Sequence, residues 1–293
     1  MTGTVDSFLR AVELHENGGD SFTARTQPVP WPKAYGGDLL AQAAACAMRT
    51  VDADRVLHSM HSSFLSGAGV DAQVRYEVER LRDGRSYSTR HVRGYAGADL
   101  LFVATCSFQV SEAGSGFQAP APQGIPDPES LPSTAEALAG VAGAAAEYWS
   151  AGRSFDIRHV PGPIYVDAGG AGDGGGHVDS AAEQAVWIHP FSPLPADPAV
   201  HRLALIYVCD YTMLEPVLRR QGRAWSDPGL MTASLDHAMW LHRDPCMDDW
   251  VLFLQHADSA QSGRGLGAGS FYSRDGSLIA TALQEGVVRH AGS

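Results

Sequence analysis

Three polar residues interrupt apolar patterns that should otherwise continue. Asp210 lies in residues 201–218, a segment that reads as one helix; Ile206, Tyr207, Met213 and Leu214 sit three and four positions from it, and Leu203 and Val217 extend the same stripe. Its carboxylate is therefore expected on the core-facing side. Ser234 falls inside the strand-like residues 232–240, and Gln284 ends the apolar run of residues 278–284. A carboxylate can accept a proton, while a hydroxyl and a carboxamide can fix the direction of a water's lone pair, so the three together could hold and activate one water. A carboxylate in an apolar site is costly unless hydrogen-bonded, and such costs persist mainly where they serve function. Each residue also has a plainer reading. Pro216 can end the helix early and leave Asp210 in water. Ser234 is then an ordinary strand residue and Gln284 a solvated strand end. Spacing alone does not bring the three together.

Other chemical templates are missing. No Gly-x-Ser-x-Gly elbow is present, which disfavours an α/β-hydrolase. Gly263-Arg-Gly-Leu-Gly267 is flanked by strands and reads as a bulged or closely packed backbone, not a dinucleotide loop. His58 and His61 have a His-x-x-His spacing, but in a strand they are expected on opposite faces, so no metal site is expected. The glycine-rich residues 167–176 lack a Lys-Ser/Thr ending and read as a surface loop.

The elements that must position these residues fall into two similar sets. In the first, residues 38–49 are rich in helix formers behind Gly36-Gly37, with Asp38 as the expected N-cap. Strands follow at residues 70–81, 86–95 and 100–110, joined by Arg82-Asp83-Gly84-Arg85 and Ala96-Gly97-Ala98-Asp99 turns. In the first of these, Val74, Tyr76 and Val78 alternate with Arg75, Glu77 and Glu79. The second set has the helical residues 201–218 and then strands at 231–241, 250–257, 267–273 and 277–285. Sliding one set over the other by roughly 175–179 residues superposes several pieces in order, the mark of an internal duplication. The expected organisation is a unit over residues 1–110, a Pro/Gly/Ala-rich linker with a helix at 135–151 closing it, and a unit over 152–293 that carries the polar trio. The fold class is α+β.

Composition bounds the partners. The 293 residues carry 21 Lys plus Arg against 33 Asp plus Glu, a net charge of -12, which argues against sequence-independent binding of nucleic acid. No apolar run reaches the roughly 18–20 residues that span a bilayer, and the first sixteen residues do not read as a secretory signal. Cys46, Cys106, Cys209 and Cys246 are widely separated and read as reduced structural thiols of a cytoplasmic protein.

Several motifs resemble one family. Tyr35-Gly-Gly-Asp-Leu-Leu-Ala-Gln42, His58-Ser-Met-His-Ser-Ser-Phe-Leu65 and the stretch from Tyr76 to Arg90 are similar to the first half of a type II acyl-CoA thioesterase. Leu235-Asp-His-Ala-Met-Trp-Leu-His-Arg243, Gly269-Ser-Phe-Tyr-Ser-Arg-Asp-Gly276 and Gln284-Glu-Gly286 are similar to its second half. The resemblance covers about residues 8–110 and 155–291. It implies a double hot-dog fold, two helix-in-a-sheet units in one chain, and hydrolysis of acyl-CoA to free acid and CoA without a cofactor or metal, as part of fatty acid metabolism. The family's catalytic Asp, Thr and Gln fall on Asp210, Ser234 and Gln284. Ser234 keeps the hydroxyl but loses the methyl that restrains a Thr rotamer, and the Cys-Asp-Tyr-Thr-Met-Leu-Glu-Pro run around Asp210 is looser than the family's usual Ser-Asp run. We assign Gly36, Gly37, His61 and Asp236, all within these motifs, to substrate binding, with backbone N–H groups near Gly36-Gly37 as expected stabilisers of an oxyanion. Two open sheet edges per chain would favour a homodimer or homotetramer. Two other functions fit such a fold. An acyl-thioester binding protein with a decayed site is one. The other is an enoyl-thioester hydratase, for which the required Asp and His a few residues apart after a Gly-Asp turn are missing.

Overall fold

The computed structural model describes residues 4–167 and 184–290. Short helix α1 (Asp6–Ala11) leads into strands β1 (His15–Gly18) and β2 (Ser21–Arg25), helix α2 (Gly36–Met48), and strands β3 (Arg55–Phe64), β4 (Gln73–Asp83), β5 (Tyr87–Ala96) and β6 (Asp99–Val110). A connecting segment holds the one-turn helices α3 (Thr134–Ala137) and α4 (Ala144–Glu147), the latter running into a wide turn at Tyr148–Gly152. Then come β7 (Phe155–Val160), β8 (Gln184–Pro190), α5 (Pro198–Cys209), α6 (Glu215–Arg220), β9 (Leu230–Ser234), β10 (Asp236–Leu241), β11 (Val251–Gln261), β12 (Arg264–Ser273) and β13 (Leu278–His290).

The strands form one antiparallel sheet in the order β1-β2-β4-β5-β6-β3-β10-β13-β12-β11-β8-β7, with β9 added beside β13. That order is a palindrome about the β3–β10 pair, where Met60 faces Met239. It is the pattern left by two copies of one unit joined across a pseudo-twofold axis: β6 answers β13, β5 answers β12 and β4 answers β11. The repeated turn at Gly84 and Gly263 and the repeated Val-Ala-Thr and Ile-Ala-Thr runs fall on matching strands. Helices α2 and α5 pack against each other inside the curve of this sheet, with one continuous core around them that includes Leu40, Phe102, Phe108, Tyr207, Phe253 and Phe271. This is a double hot-dog.

Period-2 alternation selects the buried face. In β4, Val74, Tyr76 and Val78 are buried while Glu77 and Glu79 are exposed, as the residue pattern implies. Elsewhere the structure corrects the sequence reading. A bulge between Leu57 and Ser59 resets the alternation in β3. His58, bonded to Ser107 Oγ at 2.9 Å, and His61, edge-on to Trp240, therefore share the outer face instead of pointing to opposite sides. Helix α2 starts at Gly36, with Tyr35 in the N-cap position; Asp38 lies inside the first turn, fully buried, and its Oδ2 accepts the Gln27 N–H at 2.7 Å. The expected helix at 135–151 is broken, because Gly140 and Gly143 adopt φ of 85° and 119° between α3 and α4. The expected helix at 201–218 is two helices, α5 and α6, separated by a turn that starts at Asp210. The single strand expected at 231–241 is interrupted at Leu235. The glycine-rich residues 168–176 lie outside the described residues.

The Pro-rich connection is not a free tether. Pro126 accepts a hydrogen bond from Trp187 Nε1 at 2.9 Å, Gln118 bonds to Gly276 and Leu278, and Ile125 and Leu131 pack on Trp187, Trp250 and Tyr272. It covers the outer face of the second half of the sheet.

Candidate active site

Helix α5 begins with a full N-terminal signal, Asp197 capping the Ala199 N–H and Pro198 in the first turn. It ends at Cys209, and Asp210 is its C-cap. The core-facing stripe predicted for Asp210 holds through Leu203, Ile206 and Tyr207, all buried. Because the helix stops there, the carboxylate emerges at the helix end, partly buried, instead of pointing sideways from the middle of a helix.

Two strands meet it. Between the pairs Ser234↔Gly286 and Ala238↔Leu283 the ladder slips by one residue, at Leu235. The break aims Ser234 at the helix end, and its Oγ donates to Asp210 Oδ1 at 3.0 Å. Gln284, buried on β13, donates from Nε2 to the same Oδ1 at 2.8 Å and to Ser234 Oγ at 3.0 Å. The three side chains form a closed triangle. Their contact is closer than a shared water requires, since each already touches the other two.

The second carboxylate oxygen, Oδ2, faces the start of α2, where the Gly36 and Gly37 N–H groups lie close enough to help lower the pKa of Asp210. A helix N-terminus is suited to hold an anion, through both its free N–H groups and its dipole. The glycines are required by contact distance. A Cβ on Gly36 would stand 2.6 Å from Asp210 Oδ2, and one on Gly37 would stand 2.4 Å from the Tyr207 carbonyl oxygen. Tyr35 secures this approach by donating its hydroxyl to the same carbonyl at 2.5 Å and stacking on Tyr211 at 4.4 Å.

Opposed forces set the proton affinity of Asp210. Burial pushes its pKa up, while hydrogen bonds from Gln284, Ser234, Gly37 and Gly36 pull it down; the balance lies at about 6. Such a carboxylate is ionised at neutral pH yet basic enough to take a proton from water in a transition state. Among the described residues no group of His, Cys, Asp and Glu is arranged to hold a metal.

The other predicted site residues lie at different distances from the triangle. Gly36 and Gly37 adjoin Asp210 at the N-terminus of α2. His61 is exposed on the outer face of the sheet against Trp240, away from the triangle, because Met60 beside it takes the inward position. Asp236 is exposed and accepts the Glu285 N–H at 3.0 Å, which ties the start of β10 to the residue after Gln284. Sequence reasoning missed its neighbour. His237 is 1% exposed and its Nδ1 lies 2.8 Å from Gln284 Oε1. The available signal was alternation itself, since one member of the adjacent Asp236-His237 pair had to face inward.

Known proteins share this architecture over nearly the whole chain. A family model described as acyl-CoA thioesterase matches residues 170–287, and one described as acyl-CoA thioesterase N-terminal domain matches residues 27–109. Acyl-CoA thioesterase 2 of Haemophilus influenzae is 29% identical, with 99% of each chain aligned. The crystal structure of an acyl-CoA thioesterase II, TesB2, from Mycobacterium marinum superposes with a TM-score of 0.77 at 29% identity, covering 97% of this chain and 98% of that one. The tesB protein of Mycobacterium avium subsp. paratuberculosis superposes with a TM-score of 0.80 at 26% identity, covering 98% and 100%. Two family models falling on the two halves of a palindromic sheet, together with end-to-end relatives, show that the chain belongs to the type II acyl-CoA thioesterase family.

Proposed function

We propose that the chain hydrolyses acyl-CoA thioesters to free carboxylic acid and CoA by general-base activation of a water at Asp210, Ser234 and Gln284. The observation that carries the reading is the closed triangle around Asp210 Oδ1, with a carboxylate whose pKa lies at about 6. Water bound against the triangle attacks the thioester carbonyl as Asp210 takes its proton. The tetrahedral intermediate then collapses, the C–S bond breaks, and the leaving thiolate takes the proton held by Asp210 to give CoA and restore the base. Ser234 and Gln284 hold the Asp210 lone pair in one direction, which keeps the base aligned at no further entropic cost. The Gly36 and Gly37 amides lower the basicity that burial alone would impose. They also lie where a thioester oxygen could compete with Asp210 Oδ2 for the same donors.

Hydrolysis is favoured over the two other functions because relatives aligned over the whole chain are acyl-CoA thioesterases by name. The catalytic groups belong to residues 152–293, while residues 1–110 contribute the N-terminus of α2, so the site lies between the two units. A cytoplasmic setting is part of the same proposal and rests on four free cysteines, of which Cys46, Cys106 and Cys209 are buried; cell fractionation tests it. Among the described residues no helix is long and apolar enough to cross a membrane. Assembly into a homodimer or homotetramer through the terminal strands β1 and β7 is proposed from their outer edges, which pair with no further strand among the described residues, with light scattering as its measurement.

The decisive experiment follows free thiol released from acyl-CoA. Asp210→Asn should lower kcat by roughly 10²–10⁴, the range for a lost general base, with an unchanged melting temperature. Wild-type turnover in that variant would reject the proposal.

A further inference from the structure

One buried titratable group touches the triangle without belonging to it. His237 lies on the inward face of β10, opposite the exposed Asp236, and Ser62 donates to its backbone carbonyl at 3.0 Å, fixing the strand against β3. Its imidazole is sealed from solvent. Nδ1 stands 2.8 Å from Gln284 Oε1, and Nε2 is buried with no hydrogen-bond partner among the described residues.

Elementary chemistry orders these contacts. An ionised Asp210 can only accept, so Gln284 must present its NH₂ group to Oδ1, at 2.8 Å. The amide oxygen is then turned the other way, into the protein, where it needs a donor. Among the described residues His237 Nδ1 is the partner it has. The ring must therefore carry its proton on Nδ1, which leaves Nε2 as a bare lone pair. Burial holds the imidazole neutral by pushing its pKa down to about 4.

We propose that His237 is a positioning residue for the hydrolysis. Its Nδ1–H pins the Gln284 carboxamide in the one orientation that donates to both Asp210 and Ser234. The inference rests on the proposed role of the triangle. Without this donor, Gln284 Oε1 would be buried and unsatisfied, a state whose cost drives the side chain to rotate toward another partner. The amide would then leave the base, and the triangle would open on one side. His237 is buried behind Gln284 and meets the triangle only through that amide, so its removal should act on turnover and not on binding.

The test uses the full-length protein and four variants. His237→Phe keeps a flat ring and removes the donor. His237→Asn places an amide N–H near the position of Nδ1. Gln284→Ala removes the group acted upon, and the double variant H237F/Q284A closes a cycle. We expect H237F to lower kcat about 10- to 100-fold with KM within about twofold, and H237N to recover most of the loss. In the Q284A background H237F should cost less than about twofold, because its target is gone. A merely structural histidine would instead give independent, multiplicative losses and no selective rescue by Asn. Multiplicative losses, or full kcat in H237F, overturn the proposal. A ¹⁵N spectrum of the imidazole gives a readout that needs no turnover: the Nδ1–H tautomer is expected, and an Nε2–H tautomer refutes the assignment whatever the substrate. Failure of the catalytic reading is separable, since it would appear as full activity in Asp210→Asn with the Nδ1–H tautomer intact.

Discussion

Gly36→Ala should separate catalysis from stability. Gly36 is the first residue of α2 and its φ lies outside the left-handed region, so the backbone accepts alanine without strain. In a helix alanine is favoured over glycine by up to about 1 kcal/mol. The added methyl, however, would lie 2.6 Å from Asp210 Oδ2, and 3.2 Å from both Asp210 Cγ and Phe64 Cε1. The shortfall from ordinary contact at 3.4 Å is about 0.8 Å at Oδ2. Translation cannot absorb it, because the other carboxylate oxygen is already 2.8 Å from Gln284 Nε2 and 3.0 Å from Ser234 Oγ. The carboxylate must rotate, and rotation opens the triangle. A misplacement near 1 Å costs on the order of 100-fold in rate. We therefore expect kcat on an acyl-CoA substrate to fall about 30- to 100-fold, measured by continuous detection of released thiol. The melting temperature, from calorimetry, should move by no more than a few degrees, because the gain of alanine in the helix opposes the loss of hydrogen bonds at Asp210. A G36A enzyme with kcat within about twofold of wild type would show that the close approach of α2 to Asp210 is not needed for turnover, and would refute the geometric argument.

Two further outcomes follow from the buried acids. Asp210 must be ionised to act, and its pKa lies at about 6, so kcat should rise as pH increases through about 6 and level off above it; a rate flat from pH 5 to 8 contradicts Asp210 as the base. Asp38, buried at the first turn of α2, has its pKa raised by burial from 3.8 to about 7. A raised carboxyl pKa stabilises the fold fully below the unfolded value, and that contribution is lost as pH rises from about 4 through about 7. Asp38→Asn, which can still accept the Gln27 N–H, should therefore raise the melting temperature at pH 8 and change it little at pH 4; equal shifts at both values would contradict the assignment.

Much of this molecule is set by local pattern. Alternation along residues such as Val74, Tyr76 and Val78 decides which face of a strand is buried, because the side-chain period is two and a one-residue slip would expose the whole set. Helix formers behind Gly36-Gly37 decide that residues 36–48 coil, and the apolar stripe from Leu203 to Tyr207 aims the end of α5 at the core. The polar exceptions, Asp210, Ser234 and Gln284, were visible as breaks in those patterns. Other features depend on contacts that no local window contains. The bulge at His58 turns a pair of histidines onto one face, and the break at Leu235 aims Ser234 inward; both arise from pairing with distant strands. The Gly36 and Gly37 amides meet a carboxylate that lies 173 or more positions away in the chain. His237 binds Gln284 only because β10 and β13 are neighbours in a particular register. Periodicity determines what each segment buries, whereas the partner of each buried polar group is decided by how the two halves of the sheet close around α2 and α5.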